Sequence, residues 1–256
     1  MVMLKVPFSL YLRTALFYVV LVIFTLVFTS TAIIIAPALP YRTRFVIVIQ
    51  GYTKFVINWL RICCNINYQI YGVENIPKDP CIIYSKHQST WETFFLQTQF
   101  APQTQVIKQE LLKIPFFGWA FGLVEPIAID RSNRKEAIRT VLREGTEKLN
   151  QGVWVLIFPE GTRVPTGRRK KFTRGGAKLA ISSGKPLLPV AHNSGERWPN
   201  NSLLKYPGTV SLVYGQPIDP FGKTEDQLTQ EAEHWINTTS EELNRCSAED
   251  RLFSPA

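Results

Sequence analysis

The chain opens on an almost unbroken apolar run. From Ala15 to Ala36, 22 residues include only Tyr18, Thr25, Thr29, Ser30 and Thr31 as polar members. At a helical rise of about 1.5 Å per residue, such a stretch covers the roughly 30 Å hydrocarbon core of a bilayer, and the pattern predicts a membrane anchor. A cleaved secretory leader fits less well: the run exceeds the ~7 to 15 apolar residues of such signals, and the small-residue site Ala36-Pro37-Ala38 contains a proline. A second apolar stretch, Phe45 to Cys64, carries Lys54 and Arg61 beside Tyr52, Phe55 and Trp59. Charges make a second span expensive, so this stretch predicts a re-entrant or interfacial helix.

After residue 66 short apolar runs alternate with amphipathic helical patterns, which predicts an α/β body over 67–256, a mixed β-sheet flanked by helices. Cys81 to Tyr84, Val153 to Phe158, Leu187 to Ala191 and Val210 to Tyr214 read as strands. Asn133 with Glu136 predicts a helix cap ahead of the stripe Ile138, Val141, Leu142 and Leu149, ending near Gly152. Thr173 to Ile181 reads as a short helix stopped by Gly184. Thr224 with Gln227 forms a second capping box before Leu228, Ala232, Trp235, Ile236 and Leu243.

Charge narrows the partners. Lys and Arg outnumber Asp and Glu by 29 to 20, for a net +9, which favours anionic ligands. Lys5 and Arg13 precede the first apolar run and Arg42, Arg44 and Lys54 follow it, which places the body on the cytoplasmic face of a membrane. Cys63, Cys64, Cys81 and Cys246 show neither a disulfide framework nor zinc-ligand spacing, and no metal site is expected. Basic residues with aromatics also suit nucleic acid, but no reading motif accompanies them, so nucleic acid is not an expected partner.

Two loops carry the candidate chemistry. In Lys86-His87-Gln88-Ser89-Thr90-Trp91-Glu92, His87 leaves a strand with a carboxylate five residues on. On one continuous helix the two would point about 140° apart, so they meet only if His87 precedes the helix and Ser89 caps it. The same residues suit a simple capping box, with Glu92 holding backbone N–H groups. His192 and His234 lack such a carboxylate. In Phe158-Pro159-Glu160-Gly161-Thr162-Arg163, a sharp turn presents a guanidinium, the natural partner of a phosphate. The cations Arg168, Arg169, Lys170, Lys171 and Arg174 that follow read as a surface patch. No P-loop is present, which removes the usual phosphate cradle, and the lack of a Gly-x-Ser-x-Gly elbow weighs against a serine hydrolase.

Four blocks in order, His87 to Glu92, Glu125 to Arg131, Phe158 to Arg163 and Leu188-Pro189-Val190, resemble those of the glycerophospholipid acyltransferases, specifically the 1-acylglycerol-3-phosphate acyltransferases. That resemblance implies acyl transfer from acyl-CoA or acyl carrier protein to a free glycerol hydroxyl, giving phosphatidate. Under it His87 is the base and Glu92 its partner. Arg131, Arg163, Thr162 and Lys108 bind the substrate phosphate, with Glu160 and Gly161 shaping the turn. No cofactor is implied beyond the acyl donor. Glu92 departs from the aspartate usual in the family. Related transferases acting on glycerol 3-phosphate or another lysophospholipid share these blocks, and a noncatalytic module binding anionic lipid through the basic loop is a different reading.

Overall fold

The computed structural model describes the backbone of residues 7–253 and side chains through Cys246; Lys5 lies outside the described residues. The first apolar run forms α1 (Phe8–Ile35), which stops where Pro37 enters a 3₁₀ turn. The chain reverses into α2 (Tyr41–Arg44), passes through a π-helical turn at Phe45–Gln50 and continues as α3 (Gly51–Cys64). Asn65, in the left-handed conformation with φ 54°, ends α3.

The interfacial reading of the second apolar stretch needs correction. Helix α3 turns Tyr52, Val56, Ile57, Leu60 and Cys64 inward and leaves Lys54, Asn58 and Arg61 exposed. Its apolar face is therefore taken up by protein. Phe24 of α1 stacks on Phe55 at 3.6 Å between centroids, and Thr25 Oγ1 meets Tyr52 Oη at 2.8 Å. Helix α1 is different: Leu12, Val19, Ile23, Val27 and Ile34 are all exposed, and it is long and apolar enough to cross a membrane by length and composition.

Both ends of α1 nevertheless rest on the same body. Near its start, Phe17 is buried edge-to-face on Trp198, and Lys205 reaches Tyr18 Oη at 2.8 Å. Near its end, Ala32 and Ala36 pack with Ala120 and Val124, while Arg44 donates to the Leu123 carbonyl at 2.7 Å.

The body is one seven-stranded sheet formed by β1 (Ile66–Tyr71), β2 (Ile82–Ser85), β3 (Gln103–Lys108), β4 (Ile127–Ile129), β5 (Trp154–Ile157), β6 (Leu187–His192) and β7 (Gly208–Tyr214). Their order is β1-β7-β6-β2-β5-β3-β4, and only β6–β7 is antiparallel. Helices α4 (Trp91–Gln99), α5 (Phe117–Gly122), α6 (Arg134–Asn150), α7 (Gly175–Ser183) and α8 (Glu225–Phe253) complete the fold. Buried cores lie on both sides of the sheet. One gathers α1, α3 and α4 around Ile83 and Leu156, and the other gathers α6, α7 and α8 around Ile82 and Val155.

The predicted caps are present: Asn133 Oδ1 accepts from Glu136 N at 3.2 Å, and Thr224 N donates to Gln227 Oε1 at 2.9 Å. Gly184 ends α7 in the left-handed conformation, whereas α7 starts at Gly175 and not at Thr173. Of the stripe assigned to α6, Val141 and Leu149 are buried but Ile138 faces solvent. The sheet's consequence for chemistry is geometric. Strands β2, β3, β4, β5 and β6 run the same way, so the segments leaving them emerge along one edge.

Candidate active site

Strand β2 ends at Ser85 beside β5, in register from Ile82 with Val155 to Tyr84 with Ile157. That register puts Lys86 and His87 next to Pro159 and Glu160. Helix α4 begins at Trp91, so His87 lies ahead of it on a short loop. Ser89 does not cap the helix as expected; Thr90 occupies that position. The Ser89 hydroxyl instead accepts from Trp91 N at 2.9 Å.

Glu92 is fully buried at the start of α4 and is encircled by donors. Its Oε1 lies 2.8 Å from His87 Nδ1 and accepts from Gln88 N at 2.8 Å and Ser89 N at 2.9 Å. Its Oε2 lies 2.7 Å from each of the Ser89 and Ser194 hydroxyls. Holding the imidazole and satisfying backbone N–H groups, which looked like alternatives, are done by the same carboxylate. Burial alone would push the Glu92 carboxyl up, but the His192 and His87 imidazoles and the Ser89 hydroxyl hold it well below the usual carboxylate range. An ionised carboxylate can only accept, so Nδ1 of His87 donates to it, and in the neutral ring the lone pair then lies on Nε2. The ring stacks on Phe158, 4.0 Å between centroids and 19° from parallel.

Glu160 sits under the second loop and outside the cavity lining. The side chain is fully buried, with Oε1 at 2.6 Å from Lys86 Nζ and Oε2 accepting from His87 N at 2.8 Å. Lys86 Nζ also donates to Asn237 Oδ1 of α8 at 2.9 Å. Burial raises the Glu160 carboxyl, an effect offset in part by Lys86 and the His87 N–H. This ion pair bolts the His87 loop to the Glu160 turn. His192, at the end of β6, donates through Nε2 to the Lys86 carbonyl at 2.8 Å; burial pushes its imidazole down, an effect offset in part by the Glu92 carboxylate.

Gly161 takes φ 68°, a conformation that favours glycine, and its carbonyl accepts from Arg131 Nη1. Thr162 is exposed and lies outside the cavity lining. The cavity, of about 230 Å³, is lined by His87, Lys108, Arg131 and Arg163. Much of the rest of its lining is apolar, including Phe28 of α1, Val48, Ile49 and Tyr52 of the returning helices, Phe94 of α4, and Phe117 and Phe121 of α5, with Thr29, Thr90, Thr93, Gln97 and Gln105 as further polar members. Lys108 pairs with Glu110 at 3.0 Å on the exposed rim. A proton acceptor, three cations and an apolar bore thus share one space.

Residues 67–193 match the Acyltransferase family model. A 1-acyl-sn-glycerol-3-phosphate acyltransferase from Pseudomonas aeruginosa is 48% identical over 236 residues, spanning 91% of this chain and 92% of that protein. This chain belongs to the 1-acyl-sn-glycerol-3-phosphate acyltransferase family. A Saccharomyces cerevisiae relative of the same description is 32% identical over 68% of the chain and 59% of its own length. The crystal structure of the 1-acyl-sn-glycerophosphate (LPA) acyltransferase from Thermotoga maritima superposes with a TM-score of 0.76 at 27% identity, covering 92% of this chain and 96% of that one.

Against that acyltransferase family pattern, the structure brings His87, Glu92, Lys108, Arg131 and Arg163 together, and places Glu160 beneath the site and Thr162 outside it. Sequence reasoning missed Lys86, His192, Ser194 and Asn237, which fix the loops from behind. One signal was present: Lys86 and Glu160 each follow an apolar strand by a residue or two, and opposite charges at neighbouring strand exits suggest a pair. The Cys81 thiol is fully buried, and burial pushes it up to about 12.

Two outcomes are expected. Lys86→Met or Glu160→Leu alone should destabilise by about 3–5 kcal/mol, since each leaves a buried charge unpaired, while the double variant should recover part of that loss in a denaturation cycle. Because the folded Glu92 carboxyl is depressed, its stabilisation is full above the unfolded value of about 4.3 and fades as pH falls below it. Glu92→Gln should therefore be less stable than the parent at neutral pH, with the gap narrowing below about pH 4.3 in thermal melts.

Proposed function

We propose that this chain transfers a fatty acyl group from an acyl thioester to the free hydroxyl of 1-acylglycerol 3-phosphate, forming phosphatidate. The observation that carries this reading is the cavity itself, in which a carboxylate-oriented imidazole and two guanidinium groups share a largely apolar lining. A lysophospholipid has the same distribution of features: a phosphate, a hydroxyl close to it and a hydrocarbon chain.

In the proposed reaction Nε2 of His87 takes the proton of the acceptor hydroxyl as its oxygen attacks the thioester carbonyl. The C–O bond forms, the C–S bond breaks, and the departing thiolate regains a proton to leave as a thiol. A thiol's pKa of about 8.5 lies far below an alcohol's, so the tetrahedral intermediate collapses with loss of sulfur and no covalent enzyme intermediate or cofactor is required. Glu92 holds the ring and stabilises its cationic form. Arg131 and Arg163 grip the phosphate through paired N–H donors, with Lys108 adding charge at the rim. Arg131 is braced for this by the Gly161 carbonyl.

The donor is acyl-CoA or acyl carrier protein; the reading requires only a thioester. Residues 1–66 serve as the anchoring region and 67–256 as the catalytic body, a division supported by the match that begins at residue 67. Because both ends of α1 rest on the body, we place its exposed apolar side in a single leaflet, with the body on the cytoplasmic face. The charge distribution around the anchor supports that side.

The test is mass-spectrometric identification of the product formed by purified protein from mixed acyl donors and lysophosphatidate. Phosphatidate is expected; acylation only of an unphosphorylated acceptor would contradict the roles of Arg131 and Arg163. His87→Ala and Glu92→Ala should each lose about 10² to 10⁴-fold in kcat, and Glu92→Asp should retain more activity than Glu92→Ala.

A further inference from the structure

Between β3 and β4 the chain forms a wall with two different sides. Leu111, Phe117, Ala120 and Phe121 line the cavity. Ile114, Phe116 and Trp119, interleaved with them, do not, and are exposed at 44%, 39% and 53%. Three large apolar side chains displayed together on one short segment are not scattered surface residues, and such a patch marks a contact with something apolar.

The segment is built to keep them outward. Phe117 N donates to the Pro115 carbonyl at 2.7 Å across Phe116, which takes φ 62° and ψ −65°. This tight three-residue turn is rare for a non-glycine residue and turns the Phe116 ring toward Trp119, 5.5 Å between centroids. Gly118 locks the turn from inside: a Cβ there would lie 2.4 Å from the Leu111 carbonyl oxygen. A strained backbone thus holds an aromatic pair away from the protein that is available to bury it.

The patch continues a surface already assigned. Helix α5, which carries Trp119, packs through Ala120, with Val124 just after it, on Ala32 of α1 and Ala36 of the following turn, and the outer side of α1 is apolar and exposed. Lys113, exposed within the same segment, has a stem long enough to lie along lipid while its ammonium reaches headgroup phosphate. Lys108, at the start of the segment, is on the cavity rim.

We propose that Leu111–Trp119 is a second membrane-insertion element, which enters the leaflet beside α1 through Ile114, Phe116 and Trp119. Its inner side then forms the lip over which the lipid acceptor slides from the bilayer into the cavity, without crossing water. This rests on the reading of the chain as a membrane-associated acyltransferase.

The full chain, with Cys246 replaced by serine because it is the exposed thiol among the described cysteines, tests this directly. An environment-sensitive fluorophore is attached at Trp119→Cys or, as reference, at Val27→Cys of α1, and vesicles of phosphatidylcholine and phosphatidate carrying acyl-brominated lipid are added. Quenching at both positions is expected. Quenching at position 27 but not at 119 overturns the proposal while leaving the α1 anchor intact; quenching at neither overturns the membrane reading beneath it. Protection of position 119 by acyl carrier protein without quenching by brominated lipid would assign the patch to a protein partner and also overturns it. A kinetic arm separates insertion from folding. Phe116→Ser with Trp119→Ser should raise the half-saturating surface concentration of vesicle-borne lysophosphatidate about tenfold while leaving turnover of a monomeric short-chain acceptor within about twofold. Equal loss on both acceptors, or no change on vesicles, contradicts it.

Discussion

A carboxylate buried without access to water must be either neutralised or surrounded by donors, and Glu92 is surrounded. Its donors come from three places: the backbone and the Ser89 hydroxyl of the loop that leaves β2, the ring of His87, and the Ser194 hydroxyl beyond β6. To satisfy one charge, the sheet must bring those segments to a single point, and the loop must turn before α4 begins. The geometry of the base is a by-product of that requirement. Nδ1 is occupied because the carboxylate needs it, which leaves Nε2 for the substrate.

A second buried charge pair does for the loops what Glu92 does for the ring. Lys86 and Glu160 meet at 2.6 Å between two parallel strands, with Asn237 of α8 completing the ammonium's partners. Such a pair adds little net stability, because desolvation offsets attraction, but it admits few alternative arrangements. The His87 loop and the Gly161 turn are thereby held at fixed separation, and Arg131, bonded to the Gly161 carbonyl, is held with them. The N-terminal helices contribute on the other side. Phe28, Val48, Ile49 and Tyr52 supply cavity wall that the α/β body lacks, so these helices are part of the site.

The sequence revealed the parts of this arrangement that have a period or a motif. Strands β2, β5 and β6 are apolar runs, the caps of α6 and α8 carry their signature residues, and His87, Glu92 and Arg163 stand in recognisable blocks. Strands β1, β3 and β4 were not legible, each for its own reason. An exposed edge strand leaves most of Ile66–Tyr71 without apolar demand, Gln103, Thr104 and Gln105 are polar residues buried in β3, and β4 is three residues long. Helix α3 was misassigned because an apolar face reads the same whether lipid or protein covers it. The buried partner of Glu160 was not legible either, because only the register of β2 with β5 shows that Lys86 lies beneath the turn.

The protein has three histidines, so selective ¹⁵N labelling of imidazole gives a spectrum in which His87 can be resolved by its variant. Nitrogen shifts and one-bond couplings in detergent micelles report which ring nitrogen carries the proton. The account requires the neutral His87 ring to hold its proton on Nδ1, with Nε2 unprotonated, and requires that preference to weaken in Glu92→Gln. A His87 ring protonated on Nε2 alone, or one indifferent to the loss of the Glu92 charge, would contradict it.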